Sequence, residues 1–127
     1  MVDKLKNYIE LYAWNGWILK ELSRCDEKVK HPEHYIVDLD TNDIYEIEMY
    51  TYKDHHTEEN YKLIRSKDKM RVTRLLNYID RKKLLNFNSV NTRDYGEVLV
   101  INKKNIKQEI SLSPNTNIFK ELVRIVK

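Results

Sequence analysis

Residues 8–19 read Tyr-Ile-Glu-Leu-Tyr-Ala-Trp-Asn-Gly-Trp-Ile-Leu, and the fold turns on whether they form a helix or extended chain. Apolar positions at Leu5, Tyr8, Ile9, Tyr12, Leu19 and Leu22 fall at helical spacing. Leu11, Trp14 and Ile18 add a second stripe, so the middle turns are apolar nearly all round. Asn15-Gly16 between apolar residues is a hairpin signal in its own right. The apolar residues do not alternate as those of a half-buried strand do. The pattern therefore predicts a helix over residues 2–24, bent at Gly16, with a Trp14/Trp17 hairpin as its rival.

Working outward, Tyr35–Tyr50 (YIVDLDTNDIYEIEMY) reads as a hairpin. A three-residue turn at Thr41-Asn42-Asp43 pairs Asp38 with Glu46 and Ile36 with Glu48. Strand side chains alternate, so this register gathers Tyr35, Val37, Leu39, Tyr45, Ile47 and Met49 on one face. Asp54 or Thr57 can cap a short helix through about Ser66. Asp68 can cap another, where Val72, Leu75, Leu76 and Ile79 form a helical stripe. Residues 86–94 are polar and irregular. Glu97–Asn102 and Ile106–Leu112 predict a second hairpin around Lys103-Lys104-Asn105, ended by Pro114. Asn117–Val126 predicts a last helix burying Ile118, Leu122 and Ile125. The expected order, α-ββ-αα-ββ-α, makes a single α+β domain over residues 1–127. Its two antiparallel hairpins form one sheet, packed with an N-terminal helix, central helices and a C-terminal helix.

Composition excludes several function classes. A chain of 127 residues buries roughly 65% of its unfolded surface, so it needs neither metal nor disulfide to fold. The single Cys25 has no internal partner, which fits a reducing compartment. At the end of the first predicted helix its thiol gains no nucleophilic activation from the dipole. Two glycines cannot build a glycine-rich phosphate loop. Met1-Val-Asp-Lys4 opens on charge without an apolar signal region, and Val98–Ile101 is too short to span a bilayer. A cytoplasmic, soluble protein without membrane attachment is expected.

Charge is segregated along the chain. Glu33–Glu59 holds nine acids against Lys53 alone, whereas Lys62–Lys83 holds nine bases against Asp68 and Asp80. In the expected hairpin register Asp38 faces Glu46, with Asp40 and Glu48 on the same side. Like charges directly opposed cost some tenths of a kcal/mol. Such a face calls for a cation: the protein's own Arg and Lys, a basic partner, or a divalent metal, the one cofactor this pattern could take.

Three functions fit. A non-enzymatic interaction protein would bind a protein partner through an acidic face (Asp38, Asp40, Glu46, Glu48) and a basic one (Arg71, Arg74, Tyr78, Arg81, Lys82). Small inhibitors, immunity proteins and mobile-element accessory proteins share this character. A nucleic-acid-binding protein would use the basic helix 68–83 for phosphate contacts. A metal-dependent nuclease would gather Asp38, Glu46 and Glu48 around divalent ions. The order helix, strand with Asp38, strand with Glu46-x-Glu48, helix resembles the core of the PD-(D/E)xK nuclease fold over the first two-thirds of the chain. The resemblance departs at Glu48, where that family usually has Lys, and no Pro precedes Asp38. His31 and His34 before the hairpin, and His55 and His56 after it, form a second candidate metal group, with Cys25 near them. His55 or His56 beside Asp54 could form a general-base pair, but no nucleophile accompanies them. Binding of a protein partner without catalysis ranks first among these readings.

Overall fold

The computed structural model describes residues 4–15, 21–24, 27–84, 95–112 and 117–127. Seven strands and two helices follow one another within these residues. They are β1 (Tyr8–Asn15), β2 (Lys28–Lys30), β3 (His34–Asp38), β4 (Ile44–Tyr52), β5 (Thr57–Arg65), α1 (Lys69–Arg81), β6 (Tyr95–Lys103), β7 (Ile106–Leu112) and α2 (Ile118–Val126). All strands join one antiparallel sheet. Read across, the order is β5, β4, a row shared by β2 and β3, β1, β6 and β7. β2 and β3 lie end to end against β4, interrupted at His31-Pro32-Glu33. Even there the ladder continues through His31 N–H to Met49 C=O (2.8 Å) and Ala13 N–H to Glu33 C=O (3.2 Å). Proline has no N–H to donate and sits at the break.

Among the described residues the expected continuous N-terminal helix is not formed, and with it goes the multi-helix packing. Residues 8–15 are instead β1, flanked by β3 on one side and β6 on the other. The reason lies in its burial. Ile9 and Leu11 pack into the main core on one face, while Tyr8 is only 4% exposed on the other. A strand covered on both faces loses the apolar/polar alternation that would betray it. Its Tyr, Ile and Leu side chains suit a pleated surface, and the helical spacing at Leu5, Tyr8, Ile9 and Tyr12 is coincidental. The helix expected through Ser66 is also a strand, β5, paired along nearly all of β4 from Thr51↔Thr57 to Ile44↔Arg65. Exposed on most of its length, β5 carries no core stripe in either period. Only one central helix remains.

The first hairpin forms in a different register. Val37 pairs with Ile44, Ile36 with Tyr45 and Tyr35 with Glu46, three residues away from the expected alignment. The turn is longer than three residues and is closed by Asp38 N–H to Asp43 C=O (2.9 Å) and Asn42 N–H to Asp38 C=O (2.8 Å). Asn42 takes a positive φ of 64°, which asparagine tolerates. An odd shift moves one strand's side chains to the other face. Ile44 thus joins Tyr35 and Val37 in the main core, in place of Tyr45 and Met49.

The Asp68 helix, the second hairpin and the C-terminal helix form near their expected bounds, but the hairpin turn is two residues rather than three and Ile118 and Ile125 are only partly buried. α1 starts at the Asp68 cap, whose carboxylate accepts the Arg71 N–H at 3.0 Å, and buries Val72, Leu75, Tyr78 and Ile79. β6 and β7 meet in a two-residue turn with Lys103 opposite Ile106. Both turn residues, Lys104 and Asn105, have positive φ (52° and 65°), the twist that suits a tight hairpin. α2 buries Phe119, Leu122 and Val126. Both helices lie on one sheet face, over Ile9, Leu11, Tyr35, Val37, Ile44, Leu99, Ile101, Ile110 and Leu112. Each such large side chain contributes roughly 1.5–3 kcal/mol by leaving water. On the opposite face Tyr8, Val98 and Val100 form a smaller cluster with Leu5 and Tyr12 against it. Among the described residues, no helix is long and apolar enough to cross a membrane. The expectations for Cys25, Trp17, Pro114 and residues 86–94 fall outside the described residues.

Candidate functional site

The structure separates the acids that the sequence grouped. Tyr8 pairs with Asp38, and Tyr35 with Glu46, so Asp38 faces away from the helices while Glu46 faces their side. Asp38 is 8% exposed and accepts the Asp40 N–H at 2.9 Å. Asp40 in turn accepts from the Asn7 amide (3.0 Å), and Asp43 from the Lys67 N–H (3.0 Å). These three aspartates shape the β3–β4 turn and dock it on its neighbours. Glu46 lies opposite Lys62, and Glu48 opposite Asn60. The juxtaposition of Asp38 with Glu46 on which the nuclease resemblance rested is not formed. Among the described residues no group of three or more His, Cys, Asp or Glu is arranged to hold a metal ion.

Glu46 instead borders a cavity of about 290 Å³ with Lys30, Glu33, Tyr35 and Lys127. Tyr35 donates its hydroxyl to Glu33 Oε2 at 2.5 Å, and Lys127 Nζ stands 3.8 Å from Glu33 Oε1. Burial, then the bond to Glu33, holds the Tyr35 phenol well above its ordinary pKa.

The basic residues divide by role. Arg71 Nε reaches Asp68 Oδ2 (3.2 Å), and its Nη1 donates to the Ile125 carbonyl of α2 (2.9 Å). Arg71 is therefore an internal clamp between the two helices. Tyr78 is 8% exposed, with Arg81 and Lys82 over its ring at 5.5 and 5.8 Å. Buried as it is, the ring offers no surface on which a base could stack. Arg74 stays outward. With Lys69, Met70, Thr73 and Asn77 it lines a surface cavity of about 350 Å³. Met70 is 74% exposed between these cations, and neither Lys69 nor Arg74 makes an ion pair with a described residue.

The histidines fall into two places. His56 pairs with Asp54, stacks on Tyr52 at a 4.2 Å centroid distance, and lies 3.7 Å from Glu58 at the exposed β4–β5 turn. That hydrogen bonding holds the Asp54 carboxyl below its usual range. His55 occupies the same turn with a φ of 72°. His31 and His34 lie at the break between β2 and β3. His34 Nε2 is 2.5 Å from Glu10 Oε2, part-buried and beside Tyr12. His31 Nε2 lies 2.6 Å from Thr51 Oγ1. Burial, then the neighbouring His34, lowers the His31 pKa, while Glu59 opposes the shift. Glu10, Tyr12, Met49 and Glu59 join both histidines around a cavity of about 280 Å³. Burial pushes the Tyr12 phenol up to about 12, helped by Glu109 and Glu10. Sequence reasoning missed Glu10 and Tyr12 because it placed them on a helix. Tyr8, Glu10 and Tyr12 share one face only when the segment is extended.

Comparison with protein families, with known proteins and with solved structures gives no match for this chain.

Proposed function

We propose that this protein is a non-enzymatic recognition module that binds an acidic surface of a partner protein through the outer face of α1. The observation that carries the reading is Met70, 74% exposed between Lys69 and Arg74. An apolar side chain flanked by cations that make no ion pair with a described residue offers an anchor and a complementary field at one spot. The sequence's idea of two charged faces narrows accordingly. Asp38 and Asp40 are engaged in their own turn, while Glu46 and Glu48 lie on β4 opposite Lys62 and Asn60, where they would meet a basic region of the same partner.

Nucleic-acid binding is the second reading, favoured by the same cations with Arg81 and Lys82 on the next turns of α1. The buried Tyr78 ring argues against base stacking. One experiment separates the readings. Labelled acidic peptides, with and without leucines, and a DNA duplex are titrated against the protein at about 50 mM salt. Recognition of a protein predicts that the leucine-bearing peptide binds most tightly. Met70→Gln should then weaken that peptide alone, and Arg74→Glu should weaken both peptides about tenfold. Tightest binding to the duplex, with a steep salt slope, would transfer the function to nucleic acid. No binding to any probe would overturn both readings.

A further inference from the structure

Ile106 is 76% exposed, more than any other large apolar side chain among the described residues. It begins β7 and stands opposite Lys103 across the hairpin. Strand side chains alternate, so Ile106 lies on the same sheet face as Ile110 and Leu112, the face that carries both helices. Those two are buried in the main core, and Ile106 continues their row into solvent. The turn beside it is braced. Lys104 and Asn105 hold positive φ, and Asn7 Oδ1 accepts the Lys104 N–H at 2.9 Å. A side chain on so fixed a backbone loses little freedom when a partner covers it.

A cavity of about 260 Å³ joins this hairpin to α1. Lys103 forms one side of it, and Leu76, Asn77 and Asp80 the other. Asn77 also lines the outer cavity that holds Met70 between Lys69 and Arg74. The two cavities therefore adjoin at one residue, with Met70 toward one end of the combined surface and Ile106 toward the other. Three cations, Lys69, Arg74 and Lys103, border it against a single acid, Asp80. None of the three makes an ion pair with a described residue. One exposed apolar residue alone is ordinary. Two of them on one connected surface of positive charge are a pattern that a complementary chain can read.

We propose that the partner crosses this whole surface as an extended acidic segment carrying two apolar residues, one packed on Met70 and the other on Ile106. This rests on the reading of α1 given above and adds to it the hairpin tip and the form of the partner. About 10 Å of helix separates Met70 from Asn77, and Lys103 and Ile106 stand on the far side of Asn77. An extended chain rises roughly 3.3 Å per residue, so the two apolar residues are more than about three apart. Acidic residues between them meet Arg74 and Lys103.

Fluorescence anisotropy at low salt tests it with labelled glutamate-rich peptides bearing one leucine, two adjacent leucines, or two leucines about four to eight residues apart. The widely spaced pair should bind about tenfold tighter than the single leucine, and the adjacent pair should not. Ile106→Gln should return the spaced peptide to the affinity of the single-leucine peptide and leave the latter unchanged. Met70→Gln should weaken both. Lys103→Glu should weaken the spaced peptide more than the single-leucine one. These positions are exposed or border open cavities, and circular dichroism confirms that each variant folds. Suppose the single-leucine peptide binds and responds to Met70→Gln, while spacing and Ile106→Gln have no effect. The surface then ends at α1, and this proposal is overturned while the α1 reading stands. Binding by none of the peptides overturns both. Tightest binding by a DNA duplex, weakened by Lys103→Glu, overturns both as well and gives the surface to nucleic acid.

Discussion

Tyr12 shows how much one side chain depends on its place in the sheet. Its phenol is half-buried beside Glu10 and Glu109, and deprotonation would put a third negative charge among them. The folded pKa is about 12 against an ordinary value of 10.0. The folded protein thus keeps this proton at a pH where the unfolded chain loses it. Stability from Tyr12 is complete below pH 10 and is lost as pH rises through about 12. Following phenolate absorbance during an alkaline titration should therefore show a late-titrating group, and Tyr12→Phe should remove one equivalent from that phase. None of this was legible while residues 2–24 read as a helix, because Glu10, His34 and Glu109 come together only when β1 lies between β3 and β6. His31 and His34 stood out in the sequence, but their partners Thr51 and Glu10 did not.

At the scale of the element, the helices were written locally and the central strand was not. α1 announces itself through the Asp68 cap and the stripe from Val72 to Ile79. β7 does so through alternation, and the turn before it proves one residue shorter than Lys103-Lys104-Asn105 suggested. β1 and β5 fail for opposite reasons. The first is buried on both faces and the second is exposed on both, so neither displays a period of two. The hairpin register went astray because the aspartates that looked like a turn and an acid pair are spent on closing a longer loop. Within α1 the arginines differ in what they hold. Arg71 joins two charge-assisted contacts, one of them to the C-terminal end of α2, where a cation meets unsatisfied carbonyls. Arg71→Ala should cost about 1.5–3 kcal/mol in thermal unfolding. The exposed Arg74→Ala should stay within about 0.5 kcal/mol.

For the molecule as a whole, the two helices divide the sheet into unequal halves. Where they cover it, β1, β3 and β6 are buried on the helix side by a continuous core. Beyond His31-Pro32-Glu33, β2, the far part of β4 and β5 are held, among the described residues, by ladder bonds and by small contacts such as Leu22 with Val29. Native-state amide exchange should record this difference, with the far ends of β4 and β5 opening first and β1 last. Reversed order would mean that residues outside the main core secure the far half. This division also places the proposed partner face, on α1, over the main core.

The position of β1 has one more consequence, for the protein while it is being made. Tyr8 pairs with Asn102 and Asn15 with Tyr95, partners more than half of the 127-residue chain away. As the chain leaves the ribosome, β1, β3, β4 and β5 can zip together early, because each lies near its neighbour in sequence. The other side of β1 must then wait, its backbone groups without that partner, until β6 has been synthesised. The strand that ends at the centre of the finished sheet therefore begins as an open border of a nascent one. The interval before β6 arrives is when the growing chain is most exposed to aggregation.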